Sequence, residues 1–341
     1  MENSFDTLAP PPPQRHSSGD LAQMQSLPLD LKIKMTKRRI QEWYDAFDGD
    51  VYVSFSGGKD STVLKHIIDS MYNDVPALFV NTGLEYPEIQ KFVKEVKDGK
   101  YPCFNTDVVI MRPEMRFDEV IKKYGYPVIS KEISKKIHEG RVATRNGKPD
   151  NYATRQFNGT YLSRNGNTFR SVTKYKWLYE SDIPISHMCC NVMKKRTAHK
   201  YERETNRRPF IGTMASESQL RKRAWVMNGC NAFNAKVPKS TPLSFWTEQD
   251  VFEYIIRFNV PYCPIYGDIV VDEKTGKRKC TGVDRTGCMF CMFGVHLEKE
   301  PNRFQRMKIT HPNQYNYCMK PVSEGGLGLQ GVLTKLGVPY E

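Results

Sequence analysis

Apolar positions from residue 29 to residue 125 fall into short continuous runs alternating with longer periodic stretches. Leu31, Ile33, Met35, Ile40, Trp43 and Tyr44, with Lys and Arg between them, have the spacing of an amphipathic helix. Val51-Tyr52-Val53-Ser54-Phe55 is an apolar run of strand length, and the glycine turn Ser56-Gly57-Gly58 follows it. A helical pattern through Val63, Leu64, Ile67 and Ile68, a strand at Ala77-Leu78-Phe79-Val80 and a helix over 88–96 continue the series. It ends with a strand at Val108-Val109-Ile110 and a helix over 117–123. Strand and helix in this alternation predict parallel strands joined by right-handed crossovers, a doubly wound α/β sheet. Ligands of such sheets bind at the carboxyl ends of the strands.

The pattern fails between about residues 140 and 175, where Arg, Asn, Gly and Thr dominate and Asn-Gly pairs stand at 146, 158 and 165. This reads as a basic insertion of loops or short hairpins. Helical periodicity resumes over 194–203, and Ile211-Gly212-Thr213 reads as another strand end. Thr247 with Asp250 three residues on starts a further helix over 251–258 through a capping pair. Residues 1–28, with the proline run Pro10 to Pro13, read as a disordered tail. The domain expected after the tail is 29–260, nucleotide-binding and carrying the insertion, and 261–341 is an irregular, cysteine-rich C-terminal region.

Composition sharpens this picture in two places. The net charge of +13 is concentrated: residues 131–223 hold 21 Lys+Arg against 8 Asp+Glu, and the rest of the chain is balanced. So local an excess marks either a solvated basic face or a polyanionic partner such as nucleic acid. Within the insertion, Tyr152, Arg155, Phe157, Tyr161, Arg164, Phe169 and Arg170 interleave aromatic and basic side chains as surfaces for single-stranded nucleic acid do, and as ordinary loop anchors also do. Nine cysteines at irregular spacing argue against a disulfide framework and for reduced thiols. With no stretch of apolar residues of membrane-spanning length, the expected location is cytoplasmic and no membrane partner is expected.

Ser56-Gly57-Gly58-Lys59-Asp60-Ser61, placed between a strand and a helix, carries the most specific chemistry. Glycines there let the backbone turn tightly, and the amides and dipole of the helix N-terminus attract phosphate oxygens. It lacks the spacing of a Walker A loop, which needs four residues between its first Gly and the Gly-Lys pair.

These residues resemble the signature of the PP-loop ATP pyrophosphatase superfamily, Ser-Gly-Gly-x-Asp-Ser. Further stretches narrow the resemblance to the phosphoadenosine phosphosulfate (PAPS) reductase family: Val80 to Glu88, Gly212 through Glu217-Ser218 to Arg221, and Pro242-Leu243 with Trp246-Thr247 and Asp250-Val251. The resemblance spans about Leu31 to Cys291. It implies that Ser56, Gly57, Gly58, Lys59, Asp60 and Ser61 hold nucleotide phosphates and that Asn81, Thr82, Gly83 and Glu85 lie beside adenine and ribose. It also implies that Gly212, Glu217 and Arg221 face the nucleotide or its substrate. In ATP-using relatives a substrate oxygen attacks the α-phosphate and pyrophosphate leaves, with Lys59, Asp60, Arg221 and Mg in the catalytic roles. The sulfonucleotide reductases of the family depart from the intact loop and carry a C-terminal Glu-Cys-Gly-x-His segment, which this chain lacks.

Cys288-Met289-Phe290-Cys291, Cys280 and the tandem pair Cys189-Cys190 supply five thiols for four metal positions. Thiolates select zinc or an iron–sulfur cluster, and beside a sulfur-handling family signature a 4Fe-4S cluster is the leading expectation, with Zn as the alternative. Cys103, Cys230 and Cys263 read as packing residues. The expected function is an ATP-binding, adenylating enzyme of sulfur transfer acting on tRNA or DNA, with a sulfur-donor protein as a possible partner. The alternatives are a sulfonucleotide reductase making sulfite and a non-catalytic nucleic-acid-binding protein.

Overall fold

The computed structural model describes residues 16–162 and 170–341. Pro10 to Pro13, Arg164, Asn165-Gly166 and Phe169, all singled out above, lie outside those residues, as does the side chain of Arg170. The strands in chain order are β1 (Val51–Ser54), β2 (Ala77–Val80), β3 (Val108–Met111), β4 (Val128–Ile129), β5 (Arg208–Ile211), β6 (Asn231–Ala232), β7 (Lys239–Ser240), β8 (Ile269–Val271), β9 (Arg278–Cys280) and β10 (Met292–Phe293).

The chain divides into two compact units that interleave along the sequence. The first comprises residues 1–79, 87–111 and 201–285, and the second 80–86, 112–200 and 286–341. This differs from the consecutive division expected above. The nucleotide-binding region contributes to both units, and 261–341 is itself split between them.

The first unit is built on a sheet of order β3-β2-β1-β5-β7-β6. β1 pairs in parallel with both β2 and β5, β5 pairs in parallel with β7, and β6 runs antiparallel to β7. From β1 the chain moves outward to β2 and β3 and then returns to the other side of β1 at β5. The gap between the carboxyl ends of β1 and β5 is therefore the point where strand order reverses, the place where doubly wound sheets bind ligands. The strand residues are apolar because both faces are covered: Val51, Val53, Ala77, Val108 and Phe210 have no exposed surface. The helix Leu29–Ala46 is tied to the helix Glu248–Arg257 by a buried pair, Lys32 Nζ to Asp250 Oδ2 at 2.7 Å. The predicted Thr247–Asp250 capping box is formed, so Asp250 serves the cap and the ion pair together. His16 packs on Trp225, ring centroids 4.7 Å apart, and a helix spans Ser18–Gln25, so part of the expected tail is ordered structure of this unit.

The second unit is mainly helical around a core that includes Val128, Ile137, Leu178, Met292, Phe304, Cys318, Leu329 and Leu333. β4 and β10 pair in parallel within it. The described part of the basic insertion is helical, with helices at Lys131–Arg145, Tyr152–Phe157, Arg170–Thr173 and Lys176–Glu180, which corrects the expectation of loops and hairpins. Asn151, not a hairpin turn, organises it by accepting from the amides of Ala153 and Thr154 as a helix cap. The C-terminal region is less irregular than expected: Arg303–Thr310, Pro312–Met319 and Leu329–Lys335 are helices. No helix among the described residues is long and apolar enough to cross a membrane.

Candidate functional site

The phosphate-loop sequence folds as its residue types require. Gly57 adopts φ +71°, and a Cβ there would stand 2.8 Å from Val93 Cγ2, so only glycine fits both the turn and the packing. Gly58 is the N-cap of the helix Lys59–Asp69 and places no side chain over its first amides. Ser61 locks the turn: its Oγ accepts from the Ser56 amide at 3.2 Å, lies 3.0 Å from Ser56 Oγ and donates to the Gly58 carbonyl at 2.9 Å. Gly212, directly after β5, closes the other side. A Cβ there would lie 3.0 Å from the Asp60 carbonyl oxygen and 3.0 Å from Ser61 Cα, so the strand end abuts the helix backbone.

Three charged groups surround this turn. Lys59 is 4% exposed, with its ammonium 3.0 Å from Glu248 Oε1 and donating to the Asp284 carbonyl at 2.9 Å, while its amide donates to the Tyr266 hydroxyl at 3.2 Å. Burial pulls the Lys59 pKa down, and the negative charges of Asp60 and Glu248 more than offset it, so the net direction is up. Asp60 is the opposite case. Its Oδ1 is buried with no hydrogen-bond partner, and burial raises its pKa despite Lys59, Arg285 and Arg221 nearby. Arg221 pairs with Glu217, which also stands 3.9 Å from Arg285 and accepts from the Met214 amide at 2.8 Å. Burial, with Arg285 adding, lowers the Arg221 pKa. An unpartnered carboxylate oxygen beside two guanidiniums and a helix N-terminus is a donor set for a hard cation and a polyanion together.

Thr82 and Glu85 form a closed turn after β2. Glu85 accepts from the Thr82 amide at 3.0 Å and from its hydroxyl at 2.7 Å, while Asn81 accepts from the Gly83 amide at 3.0 Å, with Gly83 at φ +73°. Lys194 lies 3.5 Å from Glu85 Oε1.

The five candidate metal-binding cysteines part between the units. Cys280 belongs to the first, where its thiol senses Lys59, Glu248, Asp284 and Asp60, and burial raises its pKa. Cys189, Cys190, Cys288 and Cys291 belong to the second and act on one another electrostatically. Burial pushes the Cys288 thiol up to about 11 against the pull of Lys194, and it raises Cys189 and Cys291 as well. Lys194 is raised in turn because Cys288 and Glu85 outweigh its own desolvation. It stands in a π-helical turn, Asn191–Lys195, that follows Cys190, and such turns recur at functional sites. Among the described residues no group of three or more His, Cys, Asp or Glu is arranged to hold a metal ion. Of the expected packing cysteines, Cys230 and Cys263 are buried, whereas Cys103 is exposed.

Sequence reasoning missed Glu248, Tyr266, Asp284 and Arg285 at the phosphate loop and Lys194 beside the Cys288 thiol. The first four lie some two hundred residues from the loop and belong to no spacing pattern that would have marked them.

The sequence model of the phosphoadenosine phosphosulfate reductase domain matches residues 50–139 and 152–292. An uncharacterised protein of Methanocaldococcus jannaschii is 24% identical over 254 residues, 74% of this chain but only 38% of that one, so the chain spans well under half the length of that relative. The adenosine 5'-phosphosulfate reductase of Bacillus mycoides is 20% identical over 238 residues, 70% of this chain and 76% of that one. Among solved structures, the phosphoadenylyl-sulfate reductase of Candida auris in its phosphate complex is similar at TM-score 0.39 and 15% identity, covering 78% of this chain and 100% of that chain. A tRNA thiolase of Methanococcus maripaludis with its 4Fe-4S cluster is similar at TM-score 0.33 and 16% identity, covering 68% and 66%. With the family's sequence model matching more than half of its residues, this chain belongs to the phosphoadenosine phosphosulfate reductase domain family.

Proposed function

We propose that the chain binds ATP at Ser56 to Ser61 and adenylates an oxygen of its substrate, releasing pyrophosphate, as the activating step of a sulfur transfer onto nucleic acid. The observation that carries this reading is the intact loop Ser56-Gly57-Gly58-Lys59-Asp60-Ser61, folded around an uncapped helix N-terminus with a buried, unpartnered Asp60 oxygen beside it. The substrate oxygen attacks the α-phosphorus, the bond from that phosphorus to the bridging oxygen breaks, and pyrophosphate carries away the electron pair. A hydrosulfide, delivered by a donor protein, then attacks the activated carbon; the bond from that carbon to the AMP oxygen breaks, AMP leaves with the electron pair and the hydrosulfide proton goes to water, leaving the sulfur on the acceptor. The loop amides and the helix dipole stabilise the leaving pyrophosphate, and Arg221 and Arg285, held by Glu217, offset charge on the phosphates. Asp60, with its unpartnered Oδ1, would hold a Mg ion that supplies charge neutralisation at the phosphates when bound, and Lys59 would join the phosphates by exchanging its contacts with Glu248 and Asp284. Asn81, Thr82, Gly83 and Glu85 are assigned to the nucleoside, and tRNA or DNA is the acceptor that the basic excess of 131–223 favours.

Cys189, Cys190, Cys288 and Cys291 are the proposed ligands of a 4Fe-4S cluster, without Cys280. What supports this set is that the four thiols belong to one unit and act on one another and on Lys194 electrostatically, whereas Cys280 lies in the other unit; zinc is the alternative occupant of the same thiolates. The cluster when bound supplies a soft, redox-active or sulfur-presenting centre.

Grouping the tandem pair with Cys288 and Cys291, apart from Cys280, also favours a second reading: a reductase that cleaves a sulfonucleotide to sulfite, since that spacing resembles the iron–sulfur reductases of the family. An anaerobic preparation assayed for pyrophosphate release from ATP, with and without tRNA or DNA, and for sulfite release from a labelled sulfonucleotide separates the two. Pyrophosphate release lost in both Lys59→Ala and Asp60→Asn is expected. Sulfite without ATP cleavage moves the assignment to the reductase.

A further inference from the structure

The second unit carries an open groove that none of the site residues above uses. Its volume is about 390 Å³, and it runs between the helices Lys131–Arg145 and Tyr152–Phe157, with Lys135, Glu139, Gly140, Ala143, Tyr152 and Ala153 among the lining residues. Small residues make its floor: a Cβ on Gly140 would come within 2.7 Å of Ala153 Cβ, so glycine is what lets the two helices approach. The aromatic wall is Tyr152, half exposed, and it is held in place from two sides. Tyr161 meets its ring edge-on at 4.7 Å, and Gln156 Nε2 donates to its hydroxyl at 2.8 Å. The rim is charged, with Lys135 and Glu139 each more than half exposed and only 3.8 Å apart.

We propose that this groove seats one unstacked base of a single-stranded stretch of nucleic acid, with the ring against Tyr152. This rests on the reading of nucleic acid as the acceptor and identifies where this chain grips it outside the reacting site. A fixed, half-exposed aromatic ring over an apolar floor is a platform on which a flat heterocycle stacks at small entropic cost. The carboxylate of Glu139 accepts from an exocyclic amine, and the ammonium of Lys135 donates to a keto oxygen or a neighbouring phosphate. Charge complementarity selects a polyanion over an uncharged partner. Residues 131–155 hold seven Lys+Arg and three Asp+Glu; Arg141 is turned inward, donating to the carbonyls of Leu178, Tyr179, Ser181 and Ile183, Lys136 pairs with Glu132 at 2.7 Å, and Lys131, Arg145 and Lys148 are exposed beside the groove. A duplex keeps its bases stacked and cannot offer a ring to such a groove, so the preference is for single strands.

The test is fluorescence anisotropy on the full chain with a labelled single-stranded RNA oligonucleotide, its DNA counterpart, the same sequence as a duplex, and bulk tRNA, for wild type, Tyr152→Ala, Tyr152→Phe and Lys135→Glu. Tyr152→Ala is expected to weaken single-strand binding about tenfold or more, with Tyr152→Phe within about threefold of wild type. Lys135→Glu should weaken binding and flatten its dependence on salt. Whichever single strand binds more tightly, RNA or DNA, identifies the acceptor class. Equal binding by wild type and Tyr152→Ala, a preference for the duplex, or no binding of any probe overturns the proposal. ATP cleavage without nucleic acid, measured on the same proteins, keeps the two readings apart: its loss with intact oligonucleotide binding defeats the functional reading, and its persistence with no effect of Tyr152→Ala defeats the groove.

Discussion

Asp60→Asn should make the ligand-free protein more stable while removing its nucleotide turnover. The carboxylate has one oxygen buried without a partner, and burial raises its pKa even with Lys59, Arg221 and Arg285 close by. An unsatisfied buried polar atom costs on the order of 1–3 kcal/mol, more when charged. Asparagine leaves a neutral polar atom in the same place, so only the charged part of that cost is recovered, and with the neighbouring cations offsetting some of it the net gain on substitution is about 1 kcal/mol, or roughly 2–4 °C in Tm for a unit of this size. The dependence on pH follows from the raised folded-state value. Unfolded, the group titrates near about 3.9. Below that both states hold the proton and the folded chain buries no charge, so wild type and Asp60→Asn have equal stability. As pH rises through the folded pKa the wild type acquires the buried charge and loses stability relative to the variant, and the gap is full at neutral pH. Urea unfolding of both proteins from pH 3.5 to pH 8, without nucleotide or metal, measures this directly. A variant less stable than wild type at neutral pH refutes the reasoning, and so does a gain that persists unchanged at the acid end.

Two further outcomes follow from the same geometry. Gly212→Ala forces a methyl against the backbone at Asp60 and Ser61, both 3.0 Å away, and should destabilise the protein by about 1–3 kcal/mol and weaken ATP binding about tenfold; wild-type urea midpoint and wild-type ATP affinity together contradict the close packing of β5 on the loop. Serine at Cys189, Cys190, Cys288 or Cys291 should abolish iron incorporation in an anaerobic preparation, whereas Cys280→Ser should retain it, read by iron analysis and visible absorption; loss of iron in Cys280→Ser alone sinks the four-thiol assignment.

The strand–turn–helix from Val51 to Asp69 was legible because each of its residues answers a local requirement. Apolar strand positions are buried on both faces, Gly57 turns at positive φ, and Ser61 bonds back to its own turn. Residues 140–175 were misread because their apolar positions are sparse and their burial is decided by partners far along the chain. Phe157 and Val172 reach the core of the second unit, and Phe157 stacks on Tyr179 at 4.7 Å. Arg141 shows the same problem from the polar side, since in sequence it is one more surface charge, yet its guanidinium binds main-chain carbonyls. The sequence offered five candidate cysteines for four positions, and the fold places Cys280 in a different unit from the other four.

Both sites share a physical mark that no motif conveys. Among the described residues, buried charges of the core are satisfied from within: Lys65 with Asp69 at 2.8 Å and Thr106 at 2.6 Å, and Lys32 with Asp250 at 2.7 Å. Asp60 differs from these pairs in keeping a buried carboxylate oxygen without a partner, and burial raises its pKa and those of the Cys189, Cys288 and Cys291 thiols, as it does for Cys263 and Cys318 in the core. Under the proposed assignments a hard cation would serve the Asp60 carboxylate and a soft centre the four thiolates. Binding one reverses the shift and releases the proton, so metal affinity at either place must rise with pH toward the group's raised pKa. A structural ion pair has no such dependence on an added metal. Proton release on metal addition, present in the wild type and absent when the acid is replaced, therefore separates these groups from the satisfied pairs of the core.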